Sequence, residues 1–93
     1  MTVEDAIRLR LAMGFTQVTL AIELGMTSRA WQAIELGASD LRQVHILALE
    51  RIALKQAAKL KNVGFLPESV RKDVAAVSAL PDTNLDWIDQ HLE

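Results

Sequence analysis

The 93-residue chain has no cysteine and no tyrosine, two prolines, four glycines and only four aromatic residues. Without cysteine it forms no disulfide and holds no thiolate zinc site, and a reducing cytoplasm is its expected setting. No stretch approaches the roughly 20 consecutive apolar residues of a membrane span, so no membrane partner is expected. The N-terminal residues carry Glu4 and Asp5 and no uninterrupted apolar run, which argues against a signal peptide. The two histidines, His45 and His91, lie too far apart for metal-ligand spacing. No phosphate-cradling glycine loop, nucleophile elbow or zinc-protease motif occurs. An enzyme is not expected, nor is a metal or a cofactor.

What is present is a globular composition, 51% hydrophobic and 24% charged. Ninety-three residues suffice for one modest core. Alanine and leucine abound and β-branched residues are scattered, which predicts an all-α fold. The formal charge of −2 is unevenly distributed. Residues 1–61 hold eight basic and six acidic residues, a net of +2, whereas residues 62–93 hold two basic and six acidic, a net of −4. The acidity therefore sits in the tail and leaves room for a basic face nearer the N-terminus.

Glycines 14, 25, 37 and 64 each follow an apolar-periodic segment, where a left-handed residue ends a helix. A first helix follows Thr2, with Val3, Ile7 and Leu11 as its apolar stripe. Thr16 caps a short second helix with Leu20, Ala21 and Leu24 inside. Thr27 caps a third, with Ala30, Trp31 and Ile34 on its buried stripe. A fourth is predicted from after Ser39 or Asp40 to about Lys61, with one stripe of Leu41, Val44, Ala48, Ile52 and Lys55 and a second of Leu47, Leu54 and Ala58. Asn62-Val63-Gly64 ends it. Pro67 opens another helix running to about Leu80, where Val70, Val74 and Val77 make a narrow seam and Pro81 stops it. A last short helix from Thr83 or Asn84 carries Leu85, Trp87, Ile88 and Leu92.

The segment from Arg10 to Gly37 has a denser pattern: Leu11, Gly14, Phe15, Thr16-Gln17, Leu20-Ala21, Leu24-Gly25-Met26-Thr27, Trp31, Ile34-Glu35 and Gly37. Ala21 is small where two helices cross, Gly25 suits a tight turn, and Thr27 leaves the first N–H groups of its helix free to face a phosphate. This pattern resembles the Cro/C1-type helix-turn-helix of phage repressors and xenobiotic-response-element regulators. The resemblance covers about the first half of the chain. It departs from the family pattern at Trp31, bulkier than the usual branched residue, and at Leu36, where a polar residue is frequent.

The resemblance implies a lambda-repressor-like domain of four to five helices over residues 1–61, with the helix-turn-helix near 16–36 and a short helical extension over 62–93. It implies double-stranded DNA as partner. Base edges would be read by Ser28, Arg29, Gln32 and Ala33, with Arg29 suited to guanine, Gln32 to adenine and Ala33 to a thymine methyl. Phosphates would be held by Gln17, Thr27, Ser39 and Arg42. Arg10 and Glu35 fall where some phage repressors of the family make a structural salt bridge. A homodimer on a palindromic operator is expected, with Leu54, Val70, Val74, Val77, Trp87 and Ile88 as the dimerisation set. The alternative reading is a protein-interaction module whose acidic C-terminal segment binds a protein partner.

Overall fold

Thr2 starts the first helix by a reciprocal capping box: its Oγ1 accepts from the Asp5 N–H at 3.1 Å, and its own N–H donates to Asp5 Oδ2 at 2.8 Å. A computed structural model describes residues 1–81, and among these it places α1 at Val3–Ala12, α2 at Gln17–Leu24, α3 at Ser28–Glu35, α4 at Gln43–Leu60 and α5 at Glu68–Ser78, with no strand. The all-α class is thus the observed one. The predicted helix around Trp87 lies outside the described residues.

The caps of α2 and α3 act through threonine as the sequence suggests. Thr16 and Thr19 bond each other's backbone N–H groups, and Thr27 Oγ1 accepts from the Ala30 N–H at 3.1 Å. Gly25 ends α2 at φ 70°, ψ 28°, a left-handed conformation in which a Cβ is strained. Thr27, two residues later, is the N-cap of α3, so α2 and α3 are joined by one tight turn.

The core comprises Ala6, Leu9 and Met13 from the first helix and its cap, Leu20 and Ala21 from α2, Trp31 and Ile34 from α3, and Leu49, Ile52, Ala53 and Ala57 from α4, closed by Leu66. Trp31, Leu20, Leu49 and Met13 are its largest fully buried side chains. Ala21 is buried, on the helix that packs against α3. Leu66 belongs to this cluster, with Phe65 and Val70 packed against it, so the core continues past residue 61.

Several expected stripes are corrected. In α1 the core selects Ala6 and Leu9, continued by Met13, while Leu11 is 61% exposed. Apolar residues spaced by four drift around a helix of 3.6 residues per turn, and the face containing small Ala6 lets α1 approach closely. In α3, Ala30 is exposed while Trp31 and Ile34 are buried. In α4 the buried stripe is Leu49, Ile52, Ala53 and Ala57, and the expected Val44 and Leu47 face solvent. Ile52 of the first predicted stripe is buried and Leu41 packs against the core, but Val44, Lys55, Leu47 and Ala58 are exposed. The buried face is completed by Leu49, Ala53 and Ala57, two of them alanines that do not stand out in a hydropathy pattern.

Two boundaries also move. Helix α4 begins at Gln43, not just after Ser39 or Asp40. Ala33 O accepts from the N–H groups of both Ala38 and Ser39, Gly37 sits at φ 80°, and Arg42 is extended. These bonds hold residues 37–42 outside helical geometry. His45 Nδ1 then accepts the Arg42 N–H at 2.9 Å and caps α4 from within its first turn. At the other end the left-handed residue is Lys61 at φ 53°, not Gly64.

Helix α5 is shorter than the predicted run to Leu80 and has no buried residue. Val70 packs on the core, whereas Val74 and Val77 are 40% and 66% exposed. Its start is fastened by Arg71, whose guanidinium donates to the carbonyls of Val63, Gly64 and Leu66 at 2.8–3.1 Å. No helix among the described residues is long and apolar enough to cross a membrane.

Candidate nucleic-acid interface

Helix α3 divides sharply by side. Trp31 and Ile34 point into the core, Arg29 and Ala30 are exposed, and Ser28, Gln32 and Ala33 are half-buried. Thr27, the N-cap, is exposed; its hydroxyl is committed to Ala30 N–H, which leaves the earlier N–H groups of the helix without an intrahelical partner. Such an end attracts anions through its backbone donors and the helix dipole.

The only carboxylate on α3 is turned inward. Glu35 Oε2 accepts Arg10 Nε at 2.7 Å and the Trp31 indole N–H, while Oε1 accepts Arg10 Nη2 at 3.1 Å and Gln17 Nε2 at 2.9 Å. Each oxygen takes two donors, which fills its lone-pair directions. Arg10 Nη1 adds a bond to Phe15 O at 3.2 Å. The pair is well enclosed, with the Arg10 and Glu35 side chains 12% and 6% exposed. Burial by itself would raise the Glu35 pKa, but hydrogen bonds from Arg10, Gln17 and Trp31 and the Arg10 charge outweigh it and hold the carboxyl below its ordinary value.

This cluster ties α1, α2 and α3 together and removes the negative charge from α3's outer surface. The structure thus brings Arg10 and Glu35 into the expected salt bridge. Gln17, expected at a phosphate, donates one N–H of its side-chain amide to Glu35 and keeps the second outside that bond. Trp31 and Gln17 were not foreseen as members of the cluster. Trp31 stands four residues before Glu35, the spacing at which helical side chains meet, so one of the two donors was legible.

The remaining expected contacts fall on the same half of the chain. Ser39 and Arg42 are exposed in the 37–42 connection and at the cap of α4. Among the described residues, neither Arg29 nor Arg42 pairs with a carboxylate. Of the expected dimerisation residues, Leu54 and Val70 are half-buried, Val74 and Val77 are exposed, and Trp87 and Ile88 lie outside the described residues.

Two further features lie elsewhere. Gln56 Nε2 donates to Met13 O at 2.9 Å, satisfying a carbonyl at the end of α1 from the middle of α4. An open groove of about 470 Å³ runs between α1, α4 and the approach to α5, lined by Leu9, Ala12, Ile46, Phe65 and Pro67. Its carboxylates have partners: Asp5 bonds Thr2 and Arg8, and Glu50 accepts from Ser69 at 2.6 Å. Among the described residues no group of three or more His, Cys, Asp or Glu side chains is arranged to hold a metal ion.

Comparison with protein-family models, with curated proteins and with solved structures finds no match for this chain.

Proposed function

We propose that this chain is a sequence-specific DNA-binding regulator of the Cro/C1 type, with a lambda-repressor-like domain that lays α3 in the major groove. The observation that carries this reading is the outer surface of α3. It presents Ser28, Arg29 and Gln32 beside an open N-terminus, while its one carboxylate is consumed internally by Arg10, Gln17 and Trp31. A helix with cationic and amide side chains and no outward anion suits a polyanion. The side-chain types match base edges: a guanidinium for guanine O6 and N7, an amide for adenine, and Ala33 for a thymine methyl.

Arg42, Ser39 and Thr27 serve as phosphate contacts that set register without reading sequence. Gln17 meets a phosphate through the second N–H of its side-chain amide, while the first, held by Glu35, gives it a role in positioning α3. Occlusion of a promoter by a homodimer on a palindromic site is the simplest action, in the cytoplasm, with the exposed Val74 and Val77 of α5 as part of the dimer surface.

Selection of duplexes from a random pool, followed by gel shift of the enriched sequence, tests the reading. Arg29→Ala should weaken the specific complex about 5- to 150-fold, the equivalent of a lost bidentate contact of about 1–3 kcal/mol, and raised salt should weaken it further. No enrichment, or binding indifferent to both changes, refutes DNA reading. Light scattering at micromolar concentration that shows only a 10.3 kDa species, with and without the selected duplex, refutes the dimer.

A further inference from the structure

The groove between α1, α4 and the connection to α5 has a volume of about 470 Å³. That lies inside the range of roughly 300–1,000 Å³ typical of small-molecule sites. Three separate segments supply its apolar walls: Leu9 and Ala12 from α1, Ile46 from α4, and Phe65 and Pro67 from the connection. Ile46, Phe65 and Pro67 are only half-buried, so each keeps apolar surface that a ligand can still cover. Ala12 is exposed, and its small side chain leaves room on the α1 side.

The charged groups of the lining are not equivalent. Arg8, its one cationic side chain, donates to Asp5 Oδ1 at 3.4 Å and to Glu4 O at 3.5 Å, so Arg8 and Asp5 serve each other on the exposed side. Glu50 is half-buried and pairs with no cation among the described residues. Its Oε2 accepts the Ser69 hydroxyl at 2.6 Å, a neutral donor that fixes the carboxylate without cancelling its charge. Among the described residues Oε1 has no donor, although a carboxylate oxygen accepts two. Beside apolar walls a cation is drawn to such a group more strongly than in bulk water. The groove therefore has a defined complement: a compact apolar body that carries a cationic N–H donor.

We propose that this groove binds small organic ammonium or amidinium compounds, with the apolar body against Ile46 and Phe65 and the N–H donors on Glu50 Oε1. Ser69 is a positioning residue, holding the carboxylate through Oε2. A neutral or anionic analogue of the same shape keeps the apolar contact and loses the ion pair. No residue of α3 lines the groove, so the site stands apart from the proposed DNA reading.

Amide NMR titration of the full chain tests this, with phenethylammonium, phenethyl alcohol and hydrocinnamate as cationic, neutral and anionic probes. Phenethylammonium should shift the amides of Leu9, Ala12, Ile46, Glu50 and Phe65 along one saturable curve, with a Kd on the order of millimolar. The alcohol should bind about fivefold more weakly and hydrocinnamate more weakly still, and raised salt should narrow the gap. Glu50→Gln retains an acceptor for Ser69 and should reduce the ammonium to the affinity of the alcohol, leaving the alcohol unchanged. Ala12→Leu fills the groove from an exposed position and should weaken both about fivefold or more. Absence of a saturable shift at these amides overturns the proposal, as does equal affinity for the three probes. A preference for the cation that survives Glu50→Gln overturns it too. So does a dependence of the same amides on protein concentration without any probe, which would assign the groove to a second copy. None of these outcomes depends on whether a DNA site is found.

Discussion

Replacing Arg10 by methionine should unfold this protein far more readily than its position near a helix end suggests. Methionine keeps much of the aliphatic volume but removes both bonds to Glu35 and the bond to Phe15 O. Glu35, 6% exposed, is left with Gln17 and Trp31 as neutral donors and no compensating charge. Stripping one partner from a buried pair costs about 3–5 kcal/mol, and the two surviving donors place the loss near the lower figure, about 3 kcal/mol. A domain of this size has about 5–14 kcal/mol in total, so the variant loses a large share of its stability. The expected fall in melting temperature is about 12–24 °C. Urea unfolding followed by far-ultraviolet circular dichroism measures it, provided the slope against denaturant is unchanged. The double variant Arg10→Met with Glu35→Leu should recover part of the loss, since no buried charge then lacks a partner. A loss under about 1 kcal/mol for Arg10→Met, or a double variant less stable than the sum of the single ones, would refute the assignment of this pair as the lock on α3.

The same cluster sets a pH dependence. Because the Glu35 pKa is lowered on folding, its contribution is fully present above its unfolded value, near 4.5, and is lost as pH falls through the lower folded value. Urea midpoints should therefore drop below about pH 4.5, and the drop should be smaller in the Arg10→Met, Glu35→Leu protein. Lys61→Gly should stabilise the chain by about 0.5–1 kcal/mol, because φ 53° is strained for lysine and free for glycine; a thermal melt that moves downward contradicts this. Gln56→Leu should cost about 1–3 kcal/mol by leaving Met13 O without its donor, and should speed amide exchange at the junction of α1 with α2; unchanged stability and exchange would show that the bond is dispensable.

Much of the frame was legible in the chain. Thr2, Thr16 and Thr27 announce helix starts because a hydroxyl satisfies N–H groups locally, and Gly25 announces the turn because few other residues accept its φ. Trp31, Ile34, Leu20 and Ala21 could be placed inside from their spacing alone. Arg10 and Glu35, 25 residues apart, came together only through the resemblance, since no local rule links them. Which face of α1 and α4 turns inward was decided by tertiary structure. Alanines are ambiguous in a hydropathy pattern, and only the closeness of the packed helices makes Ala6, Ala53 and Ala57 core residues. The recruitment of Gln17 and Trp31 to Glu35, the reach of Gln56 to Met13 O and the hold of Arg71 on three carbonyls likewise depend on how separate segments meet. The sequence by itself determined that the protein is helical, where its caps stand and that its charge is divided. The tertiary structure decided which side chains are spent on the scaffold and which remain on the outer surface of α3, because a polar group's partners are fixed only when distant segments are packed together.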